Sequence, residues 1–244
     1  MMQRGIAGAI LQTPFDQNHK TLGQLYRNAL ARPLQLLRTQ PIVQILAVFY
    51  VYLYGLMYLV LSTVASLWRD RYHESVSIGS LHYLALGLGY MVGSQVCGIF
   101  ANRIYRFLKR RNHDDGRPEF GVVLMFAPSL AVPAGLSWYG WGAHAHCLWI
   151  APDCGIALFA MGAMICFQYT TAYRYEAFTL YAASATGAVY ILRGFKAFGF
   201  PIFGPRMFET LGYGWSASLL GFWLFFWDSR PLLVYACSGR SFEA

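Results

Sequence analysis

Two cations stand inside an otherwise apolar run: Arg193 and Lys196, in the segment 177–200. If that run crosses a bilayer, each charge costs about 3 kcal/mol at mid-membrane on insertion scales, so it must face a cavity or a partner. Arg193 either lines a path or pairs with a carboxylate, or it snorkels or bonds a backbone carbonyl. Lys196 lies one helical turn on, nearer the end of the run, where snorkelling is enough. Gln95, Gln168, Tyr169 and Tyr173 are polar groups in apolar surroundings that could touch a bound molecule. Arg193, Gln95, Gln168 and Tyr173 form the candidate path-lining set. Glu176 and Arg174 flank two apolar runs, and Glu176 reads first as a solvated carboxylate, with proton transfer as the sharper reading. His144, His146 and Cys147 offer an H-x-H pattern without a firm third ligand, so no metal site is predicted. His82 reads as structural. No G-x-S-x-G, H-E-x-x-H or glycine-rich phosphate loop occurs, so neither an enzyme nor a cofactor is expected. The five cysteines (Cys97, Cys147, Cys154, Cys166, Cys237) are scattered without a CxxC and read as small apolar fillers.

The elements that must hold these residues are apolar and long. Hydrophobic residues make up 57% of the 244 and charged residues only 12%, against about 25% charged in a soluble domain. A helix needs roughly 20 apolar residues to cross the hydrocarbon core. Six segments qualify: 42–67, 78–101, 122–141, 148–169, 177–200 and 211–227. The first runs for 26 residues without a charge. None shows a dyad repeat, and only helices or closed barrels satisfy every backbone group in lipid, so helices are predicted. The expected fold class is an all-α membrane protein, a bundle of six transmembrane helices. Residues 1–41 hold three prolines and five basic residues against one acidic. They lack a secretory signal pattern and read as a cytoplasmic segment, with an interfacial amphipathic stretch over 22–38. Residues 228–244 form a second polar tail.

Loop charge supplies an orientation. With 1–41 on the cytoplasmic side, loops and tails on that side carry 14 Lys and Arg and those on the other side carry 3. This is the positive-inside pattern. It places both termini in the cytoplasm and accounts for the net charge of +8 without nucleic acid. Gly89 and Gly93 form a G-x-x-x-G in the second segment, a device for close helix packing.

The junction after the second segment carries Gly98, Asn102, Arg103 and Arg106, then Lys109, Arg110 and Arg111. Alone it is a basic stop at the cytoplasmic face. In context it resembles the G-x-x-x-D-R-x-x-R/K loop signature of the major facilitator superfamily, in its second-half copy. Further stretches are similar to the fungal drug:proton antiporter branch: Arg32-Pro33-Leu34-Gln35-Leu36-Leu37, Tyr54-Gly55-Leu56-Met57-Tyr58-Leu59, Gly116-Arg117-Pro118-Glu119-Phe120, Trp138-Tyr139-Gly140-Trp141, Phe178-Thr179-Leu180-Tyr181-Ala182-Ala183-Ser184-Ala185 and Leu211-Gly212-Tyr213-Gly214-Trp215. The resemblance covers roughly residues 30–235 and implies the C-terminal half, helices seven to twelve, of a twelve-helix transporter.

What the resemblance implies follows from that half. Substrate would bind near the midplane between two six-helix halves. The substrate would be a small organic compound, such as a drug or secondary metabolite, exported with proton coupling across the cell membrane. Asn102, Arg103, Arg106, Glu119 and Glu176 would form the cytoplasmic gate. The family usually has Asp where Asn102 stands, which leaves the latch in question. Membrane lipid, a separate N-terminal half and a homo-oligomer are the implied partners. A non-transporting subunit or gene remnant is the alternative function. No acidic residue lies deep in a span, so a proton-carrying carboxylate would have to come from the other half.

Overall fold

The charge-free run after residue 41 winds into one helix, α1 (Pro41–Asp70), of 30 residues, about 45 Å long at the α-helical rise. In the computed structural model, the described residues are 41–111, 119–145, 148–177 and 182–238. After α1 the chain turns at His73, which takes the left-handed conformation (φ 54°). A short helix, α2 (Val76–Leu81), follows. Its N-cap is Ser75, whose hydroxyl accepts from the Ile78 N–H at 3.4 Å. Five long helices complete the chain: α3 (Tyr83–Arg111), α4 (Glu119–His144), α5 (Ile150–Ala177), α6 (Ala182–Leu211) and α7 (Tyr213–Ser238). Among the described residues there is no strand. The all-α, six-helix architecture predicted from hydropathy is the one observed, with α2 as an added turn.

Glycines set how close the helices come. A Cβ on Gly93 of α3 would sit 2.6 Å from the Met161 carbonyl oxygen of α5, and one on Gly89 would strike the Ala157 carbonyl. The G-x-x-x-G therefore seats α3 on α5 backbone to backbone, as expected. Gly135 of α4 and Gly155 of α5 do the same for the α4–α5 pair. The hydroxyl of Tyr52 on α1 donates to the Leu220 carbonyl of α7 at 2.9 Å. The Tyr83 hydroxyl of α3 donates to the Leu61 carbonyl of α1 at 2.8 Å. The core between these helices is mainly apolar: Leu53, Leu56, Leu67, Leu136, Ile156, Phe159 and Leu224 are buried, with a few polar side chains such as Thr63, Ser129 and Ser216 among them.

The outside is apolar as well. Phe195, Phe198 and Phe203 of α6 and Phe222 of α7 are each more than 70% exposed. In water such a surface would aggregate, whereas in lipid it is the solvated side. Among the described residues, three stretches suffice by length and composition to cross a membrane: Ala47–Asp70, Val76–Phe100 and Ile150–Ala172.

Several boundaries differ from the sequence reading: α3 runs on to Arg111, past the expected end at 101, and α7 to Ser238, into the expected tail. Residues 201–210, expected as a loop, continue α6 through Pro201 and Pro205. A proline inside a helix removes one backbone bond, but leaving the helix in apolar surroundings would strand several. Gly204 also lets this stretch rest on Leu59 of α1, where a Cβ would come within 3.3 Å of the Leu59 side chain. The turn comes instead at Gly212, whose φ of +78° suits a residue without a Cβ. Residues 170–176, expected between two spans, are the last turns of α5. Residues 178–181 lie outside the described residues.

Candidate functional site

Tyrosine recurs at every fourth position of α1: Tyr50, Tyr54 and Tyr58. Residues four apart share a helix face, and the three rings form a ladder with centroids 6.1 and 5.3 Å apart. Phe167 of α5 packs against the first two, at 4.9 Å from Tyr50 and 5.5 Å from Tyr54. Two arginines from different helices come onto this strip.

Arg193 of α6 holds its guanidinium 4.3 Å above the Tyr54 ring and 4.5 Å from the Tyr190 ring. An arginine between two aromatic faces is stabilised by their quadrupoles and keeps its N–H groups at the edge free to donate. Arg193 is half-buried, and Tyr190 beside it is exposed. Among the described residues Arg193 makes no ion pair. Its sequence position promised either a path-lining charge or a snorkelling one. The geometry places it on an aromatic wall on the inner side of α6, against α1.

Arg174 of α5 is built differently. It is 2% exposed. Its Nε donates to the Thr170 carbonyl at 3.2 Å and its Nη2 to the Thr171 hydroxyl at 2.9 Å. Its guanidinium lies 4.6 Å over the Tyr50 ring. Its Nη1 is buried and has no partner among the described residues. The sequence reading put this residue at a membrane boundary and missed its burial. Nothing in the local sequence says that α5 continues to residue 177 or that Tyr50 waits across from it.

The remaining candidates divide. Gln168 of α5, the residue after Phe167, donates through Nε2 to the Ser94 hydroxyl of α3 at 3.1 Å. Tyr90 of α3 buries its hydroxyl without a partner among the described residues. Gln95 is exposed on α3, beside Ser94. Arg103 is exposed near the end of α3. Asn102 and Arg106 lie on α3, Glu119 opens α4, and Tyr173 and Glu176 belong to the last turns of α5. The side chains of these five, and that of Lys196, lie outside the described residues. His144 ends α4 and packs on Trp141 at 5.7 Å; His146 and Cys147 lie outside the described residues. Among the described residues no group of three or more His, Cys, Asp and Glu is placed to share a metal ion.

The wall formed by α1, α3, α5 and α6 is therefore aromatic, with one half-buried guanidinium and a pair of hydrogen-bonding side chains. It can hold a flat or amphipathic organic molecule by stacking, and fix it through a few polar contacts.

Known proteins agree with that character. The chain is 43% identical over 210 residues to an uncharacterized transporter of Schizosaccharomyces pombe, covering 86% of this chain and 43% of that protein. It is 40% identical over 227 residues to the MFS-type transporter oryF of Aspergillus oryzae, covering 91% of this chain and 47% of the relative. It is 41% identical over 204 residues to the efflux pump vrtL of Penicillium aethiopicum, covering 83% of this chain and 40% of the relative. The chain belongs to the major facilitator superfamily. No family model matches it, and no solved structure matches it. This major-facilitator chain spans less than half the length of those curated relatives. It is a membrane protein, and its apolar exterior is the surface that meets lipid.

Proposed function

We propose that the chain supplies one wall of the path of a major-facilitator exporter, corresponding to the second half, helices seven to twelve. The cargo is a small organic compound of the drug or secondary-metabolite kind. The observation that carries this reading is Arg193 between Tyr54 and Tyr190, half-exposed and without an ion pair among the described residues. A charge kept in apolar surroundings at a cost of about 3 kcal/mol has a use. The names of the relatives, a transporter and an efflux pump among them, support the class of cargo. The reading includes both termini in the cytoplasm of the cell-membrane protein, by the positive-inside rule. Asn102, Arg103, Arg106, Glu119 and Glu176 then stand at the cytoplasmic gate, and export is coupled to protons.

A single wall needs a facing wall. The relatives have more than as much length again, and a first half drawn from one of them is the partner to supply. The test is efflux of a fluorescent amphipathic dye from cells expressing this chain with such a half. Efflux is expected from the pair and not from the chain alone. Arg193→Ala should reduce it roughly five- to thirtyfold at equal protein in the membrane, the cost of losing a cation–aromatic contact of about 1–2 kcal/mol to the cargo. Unchanged efflux removes Arg193 from the path, and efflux by the lone chain overturns the need for a second wall.

A further inference from the structure

At the opposite end of α5 from Arg174, three ionisable side chains meet. His82 sits at the break between α2 and α3 and is 8% exposed. Its Nδ1 lies 2.7 Å from Oδ2 of Asp153, in the first turn of α5. Its Nε2 lies 3.1 Å from Oε2 of Glu74, in the turn after α1. The imidazole is stacked on the Trp68 indole at 3.6 Å and 12°, and Trp149 meets it edge-on at 6.1 Å. The other oxygen of Asp153, Oδ1, is buried without a hydrogen-bond partner among the described residues.

Proton arithmetic makes this more than a structural histidine. A neutral imidazole carries one N–H, and an ionised carboxylate only accepts. Two nitrogen–carboxylate contacts therefore require two protons. A cluster with one N–H fewer sets a nitrogen lone pair against a carboxylate lone pair and breaks one contact. We propose that Glu74, His82 and Asp153 form a proton-binding site that clamps the turn after α1 to the α3–α5 pair while the second proton is held, and frees Glu74 when it leaves.

The geometry says which contact gives way. Asp153 holds the shorter contact and is the more buried of the two carboxylates, at 15% against 23% for Glu74. Glu74 also borders a cavity of about 40 Å³ lined by Arg69, Ser75, Ser80 and Tyr83. That space has room for water. The proton on Nε2 passes to such a water, the electron pair stays on the nitrogen, and Glu74 swings toward Arg69. The charged groups facing the site are Asp153 from α5, Glu74 from the turn and Arg69 from α1 across the cavity. Arg71, the other nearby cation, has its guanidinium 5.4 Å over the Tyr213 ring of α7. This inference uses no transport activity and stands apart from the reading of the wall.

The test uses the full chain in lipid nanodiscs with ¹⁵N-labelled histidine. Loss of one imidazole signal in His82→Gln identifies His82 among the six. Both ring nitrogens of His82 should be protonated at the acidic end of a pH series, and one of the two protons should be lost within that interval. Amide hydrogen exchange over residues 71–76, corrected for its intrinsic pH dependence, should speed up about tenfold across the same interval, as expected for local opening. Glu74→Gln carries an amide that donates to a neutral Nε2, so the clamp should stay shut and the corrected exchange become independent of pH. A single neutral tautomer of His82 throughout the series overturns the proposal, as does an unaltered pH dependence of exchange in Glu74→Gln. If His82→Gln does not fold, the Glu74→Gln comparison alone decides.

Discussion

Arg193 and His82 both bring side-chain nitrogens into an apolar bundle, and they are housed in opposite ways. His82 is enclosed, with a carboxylate on each ring nitrogen and an indole on its face. Both of its nitrogens are answered by its own chain. Arg193 is only half-buried, with aromatic rings on its flanks and no carboxylate among the described residues. A buried ion pair is costly to break, because removing one partner leaves the other unanswered. A cation supported only by ring quadrupoles contributes little to the fold and remains available for something that comes later. The first arrangement holds helices together, and the second waits for a molecule.

The comparison breaks most sharply at Asp153. Asp153→Ala leaves His82 with one carboxylate and should lower the unfolding free energy by about 3 kcal/mol. Denaturant unfolding of the purified chain in mixed micelles measures this. Trp68→Leu removes the ring under the imidazole and part of a core in which Trp68 is fully buried. Its expected cost is about 2 kcal/mol by the same measurement. Arg193→Ala should shift unfolding by no more than about 1 kcal/mol, because the ring contacts it loses are offset by removing a charge from apolar surroundings. A destabilisation by Arg193→Ala equal to that of Asp153→Ala would make the arginine a structural residue and erase the contrast.

How much of this could be read from the sequence follows from the range of each interaction. The six long helices show in hydropathy because each is a local property of about 20 residues. The α3–α5 contact was half-legible, since Gly89 and Gly93 announce a close approach but not the Met161 and Ala157 backbone they meet. Arg193 stood out as a charge in an apolar run, and Tyr190 one turn before it was in plain view. Tyr54 was not, because it comes from another helix. His82 looked merely structural because its partners are 8 and 71 residues away, and no spacing rule joins a turn, a helix break and a helix start. The continuation of α6 through Pro201 and Pro205 was hidden for a different reason. Proline reads as a boundary in water, and the penalty for leaving a helix in lipid reverses that preference.

The mildest way to sharpen the comparison lies on the wall itself. The Gln168–Ser94 hydrogen bond joins α5 to α3 next to Phe167, which packs on the tyrosine ladder. Interhelical hydrogen bonds of this kind average about 0.6 kcal/mol in membrane proteins. Gln168→Leu and Ser94→Ala should each cost roughly that, and the double variant should cost little more than either alone, since the two remove one shared bond. If both residues serve only packing, dye efflux by the paired halves will follow this small loss and stay near the starting level. If Gln168 also contacts cargo, Gln168→Leu will change which dyes are exported, while Ser94→Ala will not. That split separates a side chain that only ties two helices from one that also faces the path, a distinction that the 3.1 Å contact alone does not draw.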